Sequence, residues 1–133
     1  MNKTERRETY RLLPKDLTFV AMRPKFSKLG KLLNISGSGL CFQYMGQIGA
    51  QKDQAGNGTS FEVDMFVSDK EYYLPRVPCS LIYDTELERG MTFPIGLEYR
   101  CCGLKFKKFT KNQTDQLSLY LKNYTVKNRE QTL

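Results

Sequence analysis

Short apolar or alternating runs recur along most of the chain, each broken by Gly, Pro or Asn, and near the end the period changes. Residues 17–22 (LTFVAM) are apolar and β-branched and predict a strand that stops at Arg23-Pro24. Residues 25–31 predict a hairpin leading into a strand through Leu32 and Leu33, and residues 40–44 predict another. Residues 61–67 alternate as a strand with one buried face. Residues 72–74 run on into 79–83 across Pro75 and Pro78, and prolines there predict an edge or a bulge, because proline cannot donate to a ladder. Residues 91–100 and 101–106 would finish the sheet. Between them, residues 46–60 carry Gly49, Gly56, Asn57 and Gly58 and read as a loop, a long connection rather than a lid.

The last element is different. Leu117, Tyr120, Leu121 and Tyr124 recur at helical spacing, and Thr110 with Gln113 makes a capping box. Such a helix buries its stripe against the sheet and plugs one end, so its tyrosines read as core and not as a ligand platform. Residues 1–11 hold almost no apolar side chains and predict a mobile basic arm, closed off by Pro14, while residues 127–133 are expected to fray. Periodicity by itself supports many short strands followed by one helix: an all-β domain with a terminal helix.

At 133 residues the chain fits one domain, and 40% hydrophobic content is enough to bury a core without staples. A formal charge of +7 points to anionic partners, but charge alone does not separate nucleotide from nucleic acid or membrane. There is no histidine, which removes Ser-His-Asp and Cys-His nucleophiles and any His-containing metal site. The four cysteines, Cys41, Cys79, Cys101 and Cys102, include no CxxC pair, so no metal site is expected. They read as free thiols in a reducing compartment. No apolar window reaches the length of a membrane span, and residues 1–6 lack a signal peptide's apolar region, so a cytoplasmic protein without membrane contact is expected.

Two stretches carry the chemistry. Asn34-Ile35-Ser36-Gly37-Ser38-Gly39 offers two short polar side chains and backbone freed by glycine, just before residues 40–44. Glu5-Arg6-Arg7-Glu8-Thr9-Tyr10-Arg11 offers three guanidinium groups. Taken singly, the first is a plain inter-strand turn and the second a solvated basic tail. Taken together they suit a planar anion, because arginine forks match phosphate oxygens and the O6/N7 edge of guanine while a polar turn can grip a base edge.

The pair resembles the PilZ domain, a family of small β-barrels that binds cyclic di-GMP. That family carries RxxxR near its start, here Arg7-Glu8-Thr9-Tyr10-Arg11, and (D/N)xSxxG at a barrel strand, here Asn34 to Gly39. Its closing strand followed by a helix is matched by Gly103-Leu104-Lys105-Phe106 and residues 110–124. The resemblance implies a six- or seven-stranded antiparallel β-barrel with a C-terminal helix. Residues 1–11 would be the arm, 12–126 the barrel with its helix, and 127–133 the tail.

It also implies a receptor for cyclic di-GMP. Arg7 and Arg11 would clamp the ligand, Asn34 and Ser36 would read a guanine edge, and Gly39 would let backbone approach closely. Asn34 stands where Asp is common, and so accepts without charge assistance. Arg6, just before RxxxR, implies a stacked pair of ligands, two per chain. Arg100 could reach the same face, although the sequence does not fix its side of the strand. Binding would wrap the arm over the ligand and present a changed surface to a downstream protein: a switch without cofactor or catalysis, and with no DNA partner. The competing readings are a module of the same fold that binds proteins but no nucleotide, and a single-strand nucleic-acid barrel stacking bases on Phe26 or Tyr44.

Overall fold

In the computed structural model, which describes residues 11–23, 28–47, 59–86 and 96–127, the apolar runs become strands whose alternate residues share one interior. They are β1 (Leu12–Pro14), β2 (Thr18–Arg23), β3 (Lys28–Ile35), β4 (Gly39–Gln47), β5 (Ser60–Val67), β6 (Tyr73–Glu86) and β7 (Leu97–Phe106). Helix α1 (Lys111–Asn123) and a short β8 (Thr125–Lys127) follow. The order is β2-β5-β6-β7-β4-β3, every pairing is antiparallel, and β2 also pairs with β3. That last pairing closes six strands into a barrel and removes their free edges. β1 and β8 continue the sheet beyond β3.

Closure needs bending, and the register shifts supply it. One falls between Leu32 and Asn34, another between Val63 and Met65, a third between Leu81 and Tyr83. The second settles the two prolines. Pro75 and Arg76 are set against the single residue Asp64, a bulge, while Pro78 faces Glu62 in regular register and the ladder to β7 begins only at Cys79, so both prolines lie where β6 pairs with β5 alone. The sequence spans 91–100 and 101–106 meet in one strand, β7, and residues 87–95 lie outside the described residues. The loop expected over 46–60 likewise falls mostly outside them, and β4 runs on to Gln47.

Val20, Met22, Leu40, Phe42, Met65 and Leu104 fill the interior and are at most 1% exposed. Each such side chain contributes about 1.5–3 kcal/mol by leaving water. Helix α1 plugs one mouth with Leu117 and Tyr120. The Tyr120 hydroxyl shares a 2.8 Å hydrogen bond with Thr18, and Tyr72 donates to the Gln116 carbonyl at 2.8 Å, so both buried phenols are satisfied. The expected capping box is present: Thr110 Oγ1 accepts from the Gln113 amide, and Gln113 Oε1 accepts from the Thr110 amide.

The opposite mouth is filled by charge. Arg100, only 4% exposed, donates from Nε to Asp84 at 3.0 Å and from Nη1 to Glu98 at 2.6 Å. The Tyr44 hydroxyl donates to the same Asp84 carboxylate, and Lys28 lies 3.9 Å from it. Burial works against the charged guanidinium, but Asp84 and Glu98 outweigh it and hold Arg100 above its ordinary value.

The cysteine expectation is corrected. Cys41 and Cys101 form a disulfide between β4 and β7, and only Cys79 and Cys102 are free. Gln43 faces Cys101 in the register, so Cys41 is the diagonal neighbour of Cys101 on the same outer face, a relation that needs strand pairing to appear. Burial pushes both free thiols up to about 12, so neither is nucleophilic at neutral pH. Native protein should therefore show almost no reaction with a thiol reagent. Unfolded, unreduced protein should show two of the chain's four thiols, and four reactive thiols without reductant would contradict the disulfide.

Candidate functional site

The bulge in β3 decides what the Asn34–Gly39 stretch presents. Leu32 and Ile35 both point into the core, and the register shift between them puts Asn34 opposite Cys41 on the outer face. The Asn34 amide is half-buried and makes no side-chain hydrogen bond to the described residues. A polar edge without a partner at such a place is available to a ligand.

The turn that follows is built from its own serines. Ser36 is 1% exposed; its hydroxyl accepts from the Ser38 amide at 3.1 Å and meets the Ser38 hydroxyl at 3.1 Å. Its amide donates to the Gly39 carbonyl at 2.8 Å. The Ser36 side chain is thus spent on holding the turn. Gly39 is required by packing: a Cβ there would lie 2.3 Å from the Leu104 carbonyl oxygen of β7. The close approach expected at Gly39 is made by a neighbouring strand.

Arg11 joins the two motifs. It immediately precedes β1, and its Nη1 donates to the Gly39 carbonyl at 3.1 Å. One guanidinium N–H is engaged, and the others have no partner among the described residues. Arg11, Asn34, Ser36 and Gly39 are therefore gathered at one end of β3 and β4, whereas Arg6 and Arg7 lie outside the described residues. Lys105 belongs to this place too and was not singled out from the sequence. It pairs with Gly39 in the register, is exposed, and alternates with buried Leu104, which is the signal that could have found it. A cleft of ≈ 380 Å³ opens beside the turn between Lys105, Phe106, Phe109 and helix α1.

Arg100 does not belong here. Its register partner is Tyr44, five residues along β4 from Gly39, which is about 17 Å of strand, and its side chain is locked into the charged plug. Tyr44, considered from sequence as an exposed stacking surface, is 8% exposed and held by Asp84. It offers no face to a base. Phe26 lies outside the described residues.

Chemically, the site combines a guanidinium, an ammonium and an amide edge without a side-chain partner on a sheet surface, and among the described residues no nucleophile and base are brought together there. Among the described residues no cluster of His, Cys, Asp or Glu could hold a metal ion, and no helix is long and apolar enough to cross a membrane. No protein-family model matches the chain, and no curated protein does.

Six antiparallel strands closed into a barrel, with a terminal helix in one mouth, define a small plugged β-barrel. A solved structure shares that architecture: the PilZ domain with c-di-GMP of YcgR from Escherichia coli, with a TM-score of 0.58 at 14% identity. The likeness covers 85% of this chain and 86% of that one. The fold is PilZ-like.

Proposed function

We propose that this chain is a receptor for cyclic di-GMP and acts by changing shape, without catalysis. The observation that supports the reading is the contact of Arg11, the last arginine of the motif, with the Gly39 carbonyl of the polar turn. The YcgR domain of like fold is described with c-di-GMP, and this adds support. In the proposed complex Arg7 and Arg11 pair with phosphate and guanine, and the Asn34 oxygen accepts from guanine N–H groups. Ser36 shapes the turn, and Gly39 keeps β4 tight on β7. Lys105 adds a positive charge on the same surface. Arg6 supports a second, stacked ligand, because guanidinium both neutralises phosphate and stacks on a base face.

The bound dianion offsets the mutual repulsion of Arg6, Arg7 and Arg11, and the segment carrying them closes over it, giving a surface that a downstream protein reads. We place the receptor in the cytoplasm, with no DNA or membrane partner; there the Cys41–Cys101 bond is the feature a reducing environment would open. Limited trypsin digestion tests the closing step. Cleavage after Arg6, Arg7 and Arg11 should slow markedly at saturating cyclic di-GMP. Equal rates with and without ligand would remove these residues from the mechanism.

A further inference from the structure

A larger cleft of ≈ 640 Å³ lies on the outer face, bounded by β5, β6 and the Lys107-Lys108 pair. It is centred away from the candidate dinucleotide site, although Lys107 lines both this cleft and the one beside the turn. Gly39 pairs with Lys105, Lys105 with Ser80, and Ser80 with Ser60 at the cleft, so three strand spacings, about 14 Å, lie between.

The cleft is organised by one buried carboxylate. Asp64 is 3% exposed and accepts from Arg23 Nε and Nη2, from the Tyr73 hydroxyl, and from the backbone amide of Arg76. Burial raises the energy of its charged form, but these donors outweigh that and hold the carboxyl below the usual carboxylate range. The Arg76 carbonyl is fixed from the other side by Gln113 Nε2 at 2.8 Å.

So anchored, Arg76 adopts φ +54°, a left-handed conformation that favours glycine. Among the described residues the only other non-glycine with positive φ is Asp69, a residue type that tolerates it in a turn. The Asp64 and Gln113 bonds hold this strained backbone in place, and so fix where the arginine side chain leaves the sheet. That side chain is 63% exposed over the cleft, and its one ion pair is with a half-exposed Glu62, a contact of little net worth. The Lys107 ammonium donates to the Ser60 hydroxyl while its backbone amide donates to the Pro78 carbonyl, and the Lys108 side chain has no partner among the described residues. Phe61 and Pro78 supply apolar surface between these cations.

We propose that this cleft docks an acidic peptide segment of a protein partner. Its cations line an open rim, where water screens any single contact. A lone phosphate would gain little there. A chain carrying several carboxylates meets them together and lays apolar side chains on Phe61 and Pro78. The inference does not depend on the cyclic di-GMP reading.

The test is an amide NMR titration of the isotope-labelled full chain with a short acetylated peptide of alternating glutamate and leucine. Shifts should cluster at Ser60, Glu62, Arg76, Lys107 and Lys108. The double variant Arg76→Glu with Lys108→Glu should weaken binding by about tenfold or more, and Lys15→Glu with Lys127→Glu, just after β1 and on β8, by less than about twofold. Arg76→Gly supplies a folded control, since glycine accepts the left-handed backbone: it should melt no lower than the unmodified chain and still lose the peptide. Shifts spread over every basic surface, or equal weakening by both double variants, would overturn the site. Displacement of the peptide by equimolar pyrophosphate would show a simple oxyanion site and overturn the peptide. Arg11→Ala should leave peptide binding intact whether or not cyclic di-GMP binds.

Discussion

Replacing Arg100 with leucine is expected to destabilise the barrel by about 3–5 kcal/mol, the usual cost of removing one partner from a buried ion pair. Asp84 and Glu98 would face each other across the mouth without the guanidinium that now bonds both. The Tyr44 hydroxyl, its own ionisation pushed up by burial and by Asp84, would remain as Asp84's hydrogen-bond donor, with the Lys28 ammonium still paired to it at 3.9 Å. For a domain of this size the loss is a fall of about 10–20 °C in melting temperature. Urea denaturation should show it as a lower midpoint with unchanged slope. Lys111→Ala, which breaks an exposed ion pair with Asp115, sets the scale for a surface change and should shift stability by less than about 0.5 kcal/mol. If Arg100→Leu behaved like Lys111→Ala, the plug would not be holding the mouth. Under conditions where the variant is folded it should still bind ligand normally, because the plug and the candidate site sit at opposite ends of β4.

The second large effect concerns binding. Arg11→Ala should weaken cyclic di-GMP binding by well over about tenfold, since truncating one partner of a desolvated charge pair costs about 2–5 kcal/mol. Stability should change little, because Arg11 contributes one partly buried hydrogen bond to Gly39. That contrast makes the result interpretable: affinity falls while the melting temperature holds. Calorimetry and a thermal melt on the same sample would show it, and unchanged affinity would remove Arg11 from the site.

Alternation made the six barrel strands legible, though not the three-residue β1 and β8, and helical spacing with a Thr-Gln cap made the helix legible. What the sequence hid depends on register. Glu98 and Arg100 alternate in phase with Cys102 and Leu104, which is enough to turn them inward, but charged residues on a core-facing phase contradict the ordinary pattern until Asp84 arrives from β6 to pair with them. The Cys41–Cys101 pairing needs two strands to be aligned before it exists. Asn34 faces outward only because a bulge at Leu33 resets the phase. The bulge at Pro75 was legible from proline chemistry, whereas the left-handed turn of Arg76 was not, since nothing in the residue type announces it. The direct contact of Arg11 with the Gly39 carbonyl was not legible, since the family resemblance implied only that the two motifs meet around a ligand.

The most direct measurement is an isothermal titration of the unmodified chain with cyclic di-GMP. Saturable binding at two ligands per chain is the predicted result, falling toward one in Arg6→Leu with binding retained. One ligand per chain would keep the receptor and remove the stacked pair. No saturable heat, with the chain shown to be folded, would contradict the receptor itself and leave a PilZ-like barrel that binds only proteins.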